Sequence, residues 1–109
     1  MRIRSDSLFR VRRLSGARQL LLIHAEVQTT RDGKLAERMF RYNYRSYDAQ
    51  GLEVASFAIL GDASPDWRPG AFGWNLWGCR MGIDFPSVKL IDYLGREEEL
   101  AASRNPFAL

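Results

Sequence analysis

The sequence predicts a single α/β domain: a mixed β-sheet with flanking helices. Three observations predict it. Two β-forming runs lie on either side of a glycine turn, residues 34–48 carry apolar positions at helical spacing, and residues 53–60 are an almost continuous apolar run. A hairpin followed by a helix and another strand implies antiparallel pairing first and, through the crossover, parallel pairing second. A chain of 109 residues suits one domain with a modest core. A hydrophobic content of 46% with 12% aromatic residues excludes wholesale disorder.

Residues 5–13 read as the first strand and residues 14–18 as a turn with Gly16 at its tip. The second strand, residues 20–28, reads Leu-Leu-Leu-Ile-His-Ala-Glu-Val-Gln. Side chains alternate across a strand, so Leu20, Leu22, His24, Glu26 and Gln28 share one face and Leu21, Ile23, Ala25 and Val27 the other. The second set is expected in the core, while the first turns polar toward its end. A hairpin symmetric about Gly16 sets Asp6 opposite Glu26, with Cβ atoms about 4.5–5.5 Å apart. Two carboxylates that close repel unless one is protonated or a cation lies between them. An isolated Glu-x-Gln, by contrast, needs no more explanation than a strand reaching solvent.

Asp32 is placed to cap the next element, a helix over residues 34–48 on which Leu35, Met39 and Tyr42 recur on one side. Gly51 supplies its stop. The apolar run at residues 53–60 is expected as a strand parallel to the second. Residues 61–70, with two prolines, read as an exposed loop. Beyond it Phe72, Trp74 and Leu76 alternate on one parity and Trp77, Cys79, Met81, Ile83 and Phe85 on the other, so the face changes at Trp77-Gly78 by a bulge or a tight turn. Pro86 ends that strand. Residues 95–103 read as a helix with acidic residues in its first turn, broken by Asn105-Pro106. Cys79 is the sole cysteine, which excludes an internal disulfide; a small packed residue is expected there.

Asp6 followed by Glu26-Val27-Gln28 at the end of an apolar strand resembles the D…(D/E)-x-K signature of the PD-(D/E)XK nuclease superfamily, with glutamine where lysine is commonest. Residues 22–28 (Leu-Ile-His-Ala-Glu-Val-Gln), 38–45 (Arg-Met-Phe-Arg-Tyr-Asn-Tyr-Arg), 61–69 (Gly-Asp-Ala-Ser-Pro-Asp-Trp-Arg-Pro) and 96–100 (Arg-Glu-Glu-Glu-Leu) narrow the likeness. They resemble the Rpn (YhgA-like) recombination-promoting nucleases, often labelled transposases, over nearly the whole chain. The resemblance implies a restriction-endonuclease-like core, here without the N-terminal helix and first strand that precede the aspartate strand in that family. It also implies Mg²⁺- or Mn²⁺-dependent hydrolysis of DNA phosphodiesters. Asp6 and Glu26 would hold the cation with the Val27 carbonyl, and Gln28 would orient water through its amide without lysine's positive charge.

Other residues admit two readings. Lys34, Arg38, Arg41 and Arg45 follow spacings of four, three and four and draw a basic stripe along the helix. It can meet DNA phosphates, with Tyr42 and Tyr44 donating hydrogen bonds, or it can be a solvated face on which Glu37 pairs with Arg41. His24 can be a ligand or proton relay, but a hydrogen-bonded structural histidine is the reading adopted. Lys89 is the nearest stand-in for the missing motif lysine. Trp67, Trp74 and Trp77 are expected to pack in core and loops rather than stack on bases. The formal charge of +3 and pI near 9.4 suit a polyanionic partner. No apolar run approaches the ~20 residues of a membrane span, and no signal-peptide core follows the N-terminus, so a cytoplasmic protein is expected. A homodimer is compatible with a nuclease that cuts both strands. A non-catalytic nucleic-acid-binding remnant of the same fold is the alternative reading.

Overall fold

The computed structural model describes residues 4–12 and 20–94. The turn expected around Gly16 and the helix expected over residues 95–103 lie outside them. Strands β1 (Arg4–Arg12), β2 (Leu20–Gln28), β3 (Val54–Leu60) and β6 (Ser87–Lys89) form one sheet in the order β1-β2-β3-β6. Helix α1 (Leu35–Gln50) packs on one face of it, and β4 (Ala71–Leu76) and β5 (Cys79–Asp84) make a separate two-stranded sheet.

The expected pairings are present. β1 and β2 are antiparallel with Asp6 opposite Glu26. β2 and β3 are parallel, with His24 beside Ser56 and Glu26 beside Ala58. β6 then adds to β3 in parallel, so the mixed sheet has one antiparallel and two parallel pairs. Asp32 prepares the first turn of α1: its carboxylate accepts the Lys34 backbone N–H at 2.9 Å and its carbonyl the Leu35 N–H at 3.1 Å. Gly51 closes the helix in the left-handed conformation (φ 67°), donating its N–H to the Tyr47 carbonyl at 2.7 Å. A side chain at that φ would clash with its own backbone, which is why glycine ends helices this way.

The face of the sheet under α1 has two halves. Over β3 and β6 it is apolar: Leu35 and Met39 of the helix meet Ala58, Leu60, Trp67 and Phe85. Over β2 it is polar, because Leu22 is followed by His24, Glu26 and Gln28, all buried. This corrects the expectation that Leu21, Ile23, Ala25 and Val27 line the core; they are only half-buried, on the other face. The helix covers the polar parity because Arg38 and Tyr42 project from its inner side and supply partners for it.

The run from residue 71 to 84 is a hairpin with a tight turn. Leu76 pairs with Cys79, and the two residues between them, Trp77 and Gly78, have φ of 54° and 80°. Positive φ at both positions is what a two-residue hairpin turn of the right twist requires. Phe40 of α1 docks the hairpin, tilted against Phe72 at a ring separation of 5.4 Å and edge-on against Trp74 at 5.5 Å. The tip stands clear: Trp77 is 97% exposed and Cys79 is exposed, against the packed roles expected for both. Trp67 is buried as expected, and Trp74, though half-exposed, packs on Phe40 and Phe72.

The loop over residues 61–70 is anchored rather than free. Lys89 Nζ donates to both oxygens of Asp62 at 2.7 and 2.8 Å and to the Trp67 carbonyl at 2.8 Å, all of them buried. Three donors with three acceptors leave the ammonium satisfied. Lys89 therefore serves as an internal clamp, which corrects its reading as a substitute for the motif lysine. No helix among the described residues is long and apolar enough to cross a membrane.

Candidate metal centre

The centre forms where the polar half of the sheet meets the inner side of α1. The antiparallel register brings Asp6 beside Glu26, and alternation along β2 puts His24 on the same face one step away. One ligand atom from each of Asp6, His24 and Glu26 lies within 4.8 Å of the others. Glu26 is 1% exposed and His24 fully buried, whereas the Asp6 side chain keeps 28% of its surface open, so the cluster has a solvent-facing side.

His24 is gripped on one side only. Its ring stacks on Tyr42 at 4.0 Å with 12° between planes. Nδ1 is 2.9 Å from Ser56 Oγ, and that hydroxyl accepts a hydrogen bond from Asn43 Nδ2 at 2.9 Å, the same amide that donates to the Val54 carbonyl. Nε2 points toward Asp6 Oδ1 at 3.6 Å, beyond hydrogen-bond reach, and is buried without a hydrogen-bond partner. Burial pushes the imidazole pKa below its ordinary value, and the Asp6 carboxylate only partly opposes this. Burial thus favours the neutral ring, the form in which imidazole binds a metal.

Arg38 takes a place that its membership of the basic stripe did not suggest. Its guanidinium donates to Glu26 Oε1 from Nη2 at 2.7 Å and Nε at 3.2 Å, to Gln28 Oε1 at 2.6 Å and to Asp32 Oδ2 at 2.7 Å. Burial disfavours its charge, but the bonds to Glu26 and Asp32 more than offset that and raise its pKa. Asp32 is held below the usual carboxylate range by the Lys34 backbone N–H and by Arg38. Gln28 is buried and committed at both ends, its Nε2 donating to the Thr30 carbonyl at 2.8 Å. Positive charge beside the glutamine thus comes from the helix instead of from β2.

The remaining candidates divide. Arg41, Tyr42 and Arg45, with Asp6, Leu8 and Arg38, line a groove of about 480 Å³ that reaches the cluster at Asp6. Arg41 also pairs with Glu37 at 2.8 Å, the contact expected of a solvated face, but both partners are well exposed. Lys34 and Tyr44 are exposed and do not line the groove. Val27 is paired between Ser5 and Ile59 in the sheet, its side chain on the face away from the cluster.

Reading the sequence missed Arg38 as an internal residue, although a signal was present. Residues 35, 38, 39, 42 and 46 share one helical face, and four of those five positions carry the buried or half-buried Leu35, Met39, Tyr42 and Ser46. An arginine on that face is aimed at the sheet. Ser56 and Asn43, which orient His24, had no comparable signal.

The chain matches no protein-family model, no curated protein and no solved structure. The chemistry of the cluster is what bears on function. Two carboxylates and a neutral imidazole with an unmet buried nitrogen form a donor set that fits a divalent cation, and the neighbouring groove is cationic on its helical side.

Proposed function

We propose that this chain is a metal-dependent DNA endonuclease of the recombination-promoting type, hydrolysing phosphodiesters at the Asp6–Glu26 site. The reading takes the hairpin, crossover helix and parallel strand as a restriction-endonuclease-like core in a cytoplasmic protein. What carries it is the convergence of Asp6, His24 and Glu26, with Asp6 also lining a groove walled by Arg41 and Arg45.

Asp6 and Glu26, with the Val27 carbonyl, would hold Mg²⁺ or Mn²⁺. Such an ion supplies Lewis acidity to the phosphate and lowers the pKa of a bound water. The chain's own groups do the rest. Arg38 keeps a fixed positive charge beside Gln28, the role a motif lysine would have. Arg41 and Arg45 offer phosphate contacts along the groove, and Tyr42 can donate to a phosphate oxygen. None of these groups reads base edges, so binding is expected to be insensitive to sequence and sensitive to salt. Two subunits acting as a homodimer would account for cutting both strands.

The test is nicking of supercoiled DNA with Mg²⁺ or Mn²⁺, run beside a gel-shift assay. Glu26→Ala should abolish nicking and leave DNA binding nearly intact. An active Glu26→Ala variant would overturn the assignment. A second reading, DNA binding without cleavage, is favoured by one observation: Arg38 bonds Glu26 and Gln28 together. A DNA shift without nicking by the wild type in either metal would select it.

A further inference from the structure

We propose that His24 Nε2 is the third side-chain ligand of the Asp6–Glu26 site, making it a mixed imidazole–carboxylate centre that takes Mn²⁺ in preference to Mg²⁺. The proposal rests on the reading of that site as a metal centre and goes on to specify its ligand set and its ion.

The tautomers of His24 lead to this conclusion. If the Ser56 hydroxyl donates to Nδ1, the proton sits on Nε2 and becomes a buried donor whose nearest acceptor, Asp6 Oδ1, is 3.6 Å away. A buried donor left without an acceptor is costly. If instead Nδ1–H donates to Ser56 Oγ, Nε2 presents a lone pair toward two carboxylates, a repulsive arrangement that a cation between them makes favourable. Only the second tautomer has a use for all three groups. It is also the usual design of metal-binding histidines, whose second nitrogen is fixed by an oxygen partner. Ser56 is that partner, and Asn43 holds it by donating to its hydroxyl at 2.9 Å. The stacked Tyr42 ring restricts rotation of the imidazole.

Distances agree. Bonds of about 2.0–2.3 Å to an ion put ligands on opposite sides of it a little over ~4 Å apart. A set already within 4.8 Å closes on such an ion through small side-chain shifts. The exposed side of Asp6 leaves room for the water ligands of a hard or borderline ion. Replacing one oxygen ligand by imidazole nitrogen disfavours Mg²⁺, which demands near-ideal octahedral oxygen coordination, more than it disfavours a first-row transition ion.

His24 is the sole histidine in the sequence, so an imidazole signal can have only one source. The full chain without a histidine tag is titrated with Mn²⁺ and with Mg²⁺ by calorimetry, beside Glu26→Ala and His24→Asn. Pulsed electron paramagnetic resonance of the Mn²⁺ complex then reads directly coordinated nitrogen. The expected result is Glu26-dependent Mn²⁺ binding tighter than Mg²⁺ binding, with imidazole ¹⁴N modulation that vanishes in His24→Asn. The wild-type spectrum decides the case even where that variant folds poorly. Glu26-dependent binding without ¹⁴N modulation would overturn the role of His24 and leave the proposed nuclease site standing. No Glu26-dependent binding of either ion would overturn both.

Discussion

Replacing Arg38 with methionine tests how the polar half of the sheet is held together. The guanidinium makes contacts at 2.7 and 3.2 Å to a glutamate that is 1% exposed, and one contact each to Gln28 and Asp32. Removing one partner of a buried ion pair costs about 3–5 kcal/mol, because a charge is left in a medium that solvates it poorly. Arg38 retains 21% of its side-chain surface and Asp32 retains 20%, so water recovers part of the loss. The expected destabilisation is therefore about 2–3 kcal/mol, or a fall in Tm on the order of 10 °C for a domain of this size. Urea unfolding in the presence of a chelator measures it. Adding Mn²⁺ should narrow the gap between variant and wild type, because the guanidinium and the cation compete for Glu26. At a hundred times Kd an ion returns about 2.7 kcal/mol to the folded state. A gap under ~0.5 kcal/mol in chelator, the scatter of ordinary surface changes, would refute the view that Arg38 makes burial of Glu26 tolerable. A gap unchanged by Mn²⁺ would refute the competition. Combining Arg38→Met with Glu26→Gln removes both charges and should recover much of the loss, a coupling that a double-mutant cycle reads directly.

Other perturbations address the groove, the clamp and the hairpin. Arg41→Ala with Arg45→Ala should weaken DNA binding and flatten the slope of log K against log salt by about 1.8, near 0.9 per lost phosphate contact; an unchanged slope would mean these arginines are only a solvated face. The exposed Glu37 pair is worth too little to withhold Arg41 from a phosphate. Lys89→Met should cost about 3–5 kcal/mol in urea unfolding, since it leaves the Asp62 carboxylate buried, and adding Asp62→Asn should restore part of it. A neutral Lys89→Met would show that the clamp does not secure the loop. Gly73 faces Gly82 across β4 and β5, where an added Cβ would press on the Met81 carbonyl and lie 2.8 Å from the Gly82 Cα. Gly73→Ala should therefore raise amide exchange in β4 and β5 while β2 stays protected, and equal protection in both would contradict the close packing inferred for the pair.

The backbone plan was legible in the sequence because it depends on short-range rules. A glycine turn between two β-forming runs was enough to pair Asp6 with Glu26. The order hairpin, helix, strand was enough to make β2 and β3 parallel, and Gly51 marked the helix end. Each follows from the two-residue period of strands, the geometry of crossovers or the freedom of glycine at positive φ. The change of face at Trp77-Gly78 was legible too, but it left a bulge and a tight turn open, and the Leu76–Cys79 pairing decides for the turn.

What only the tertiary structure decided was the direction of long polar side chains and which face of the sheet they fill. Arg38 turns inward from a stripe of which Arg41 and Arg45 line the groove, and Lys89 reaches Asp62 across 27 positions of sequence. The apolar run at residues 20–23 suggested that its odd members were the core, yet α1 covers the even ones. The physical reason is common to all three. Burying a charge or an amide is costly until a partner meets it, and the partners of Glu26, Gln28, His24 and Lys89 come from other elements. Local periodicity reports which residues can share a face, but only the folded chain brings together the donors and acceptors that decide whether that face is buried.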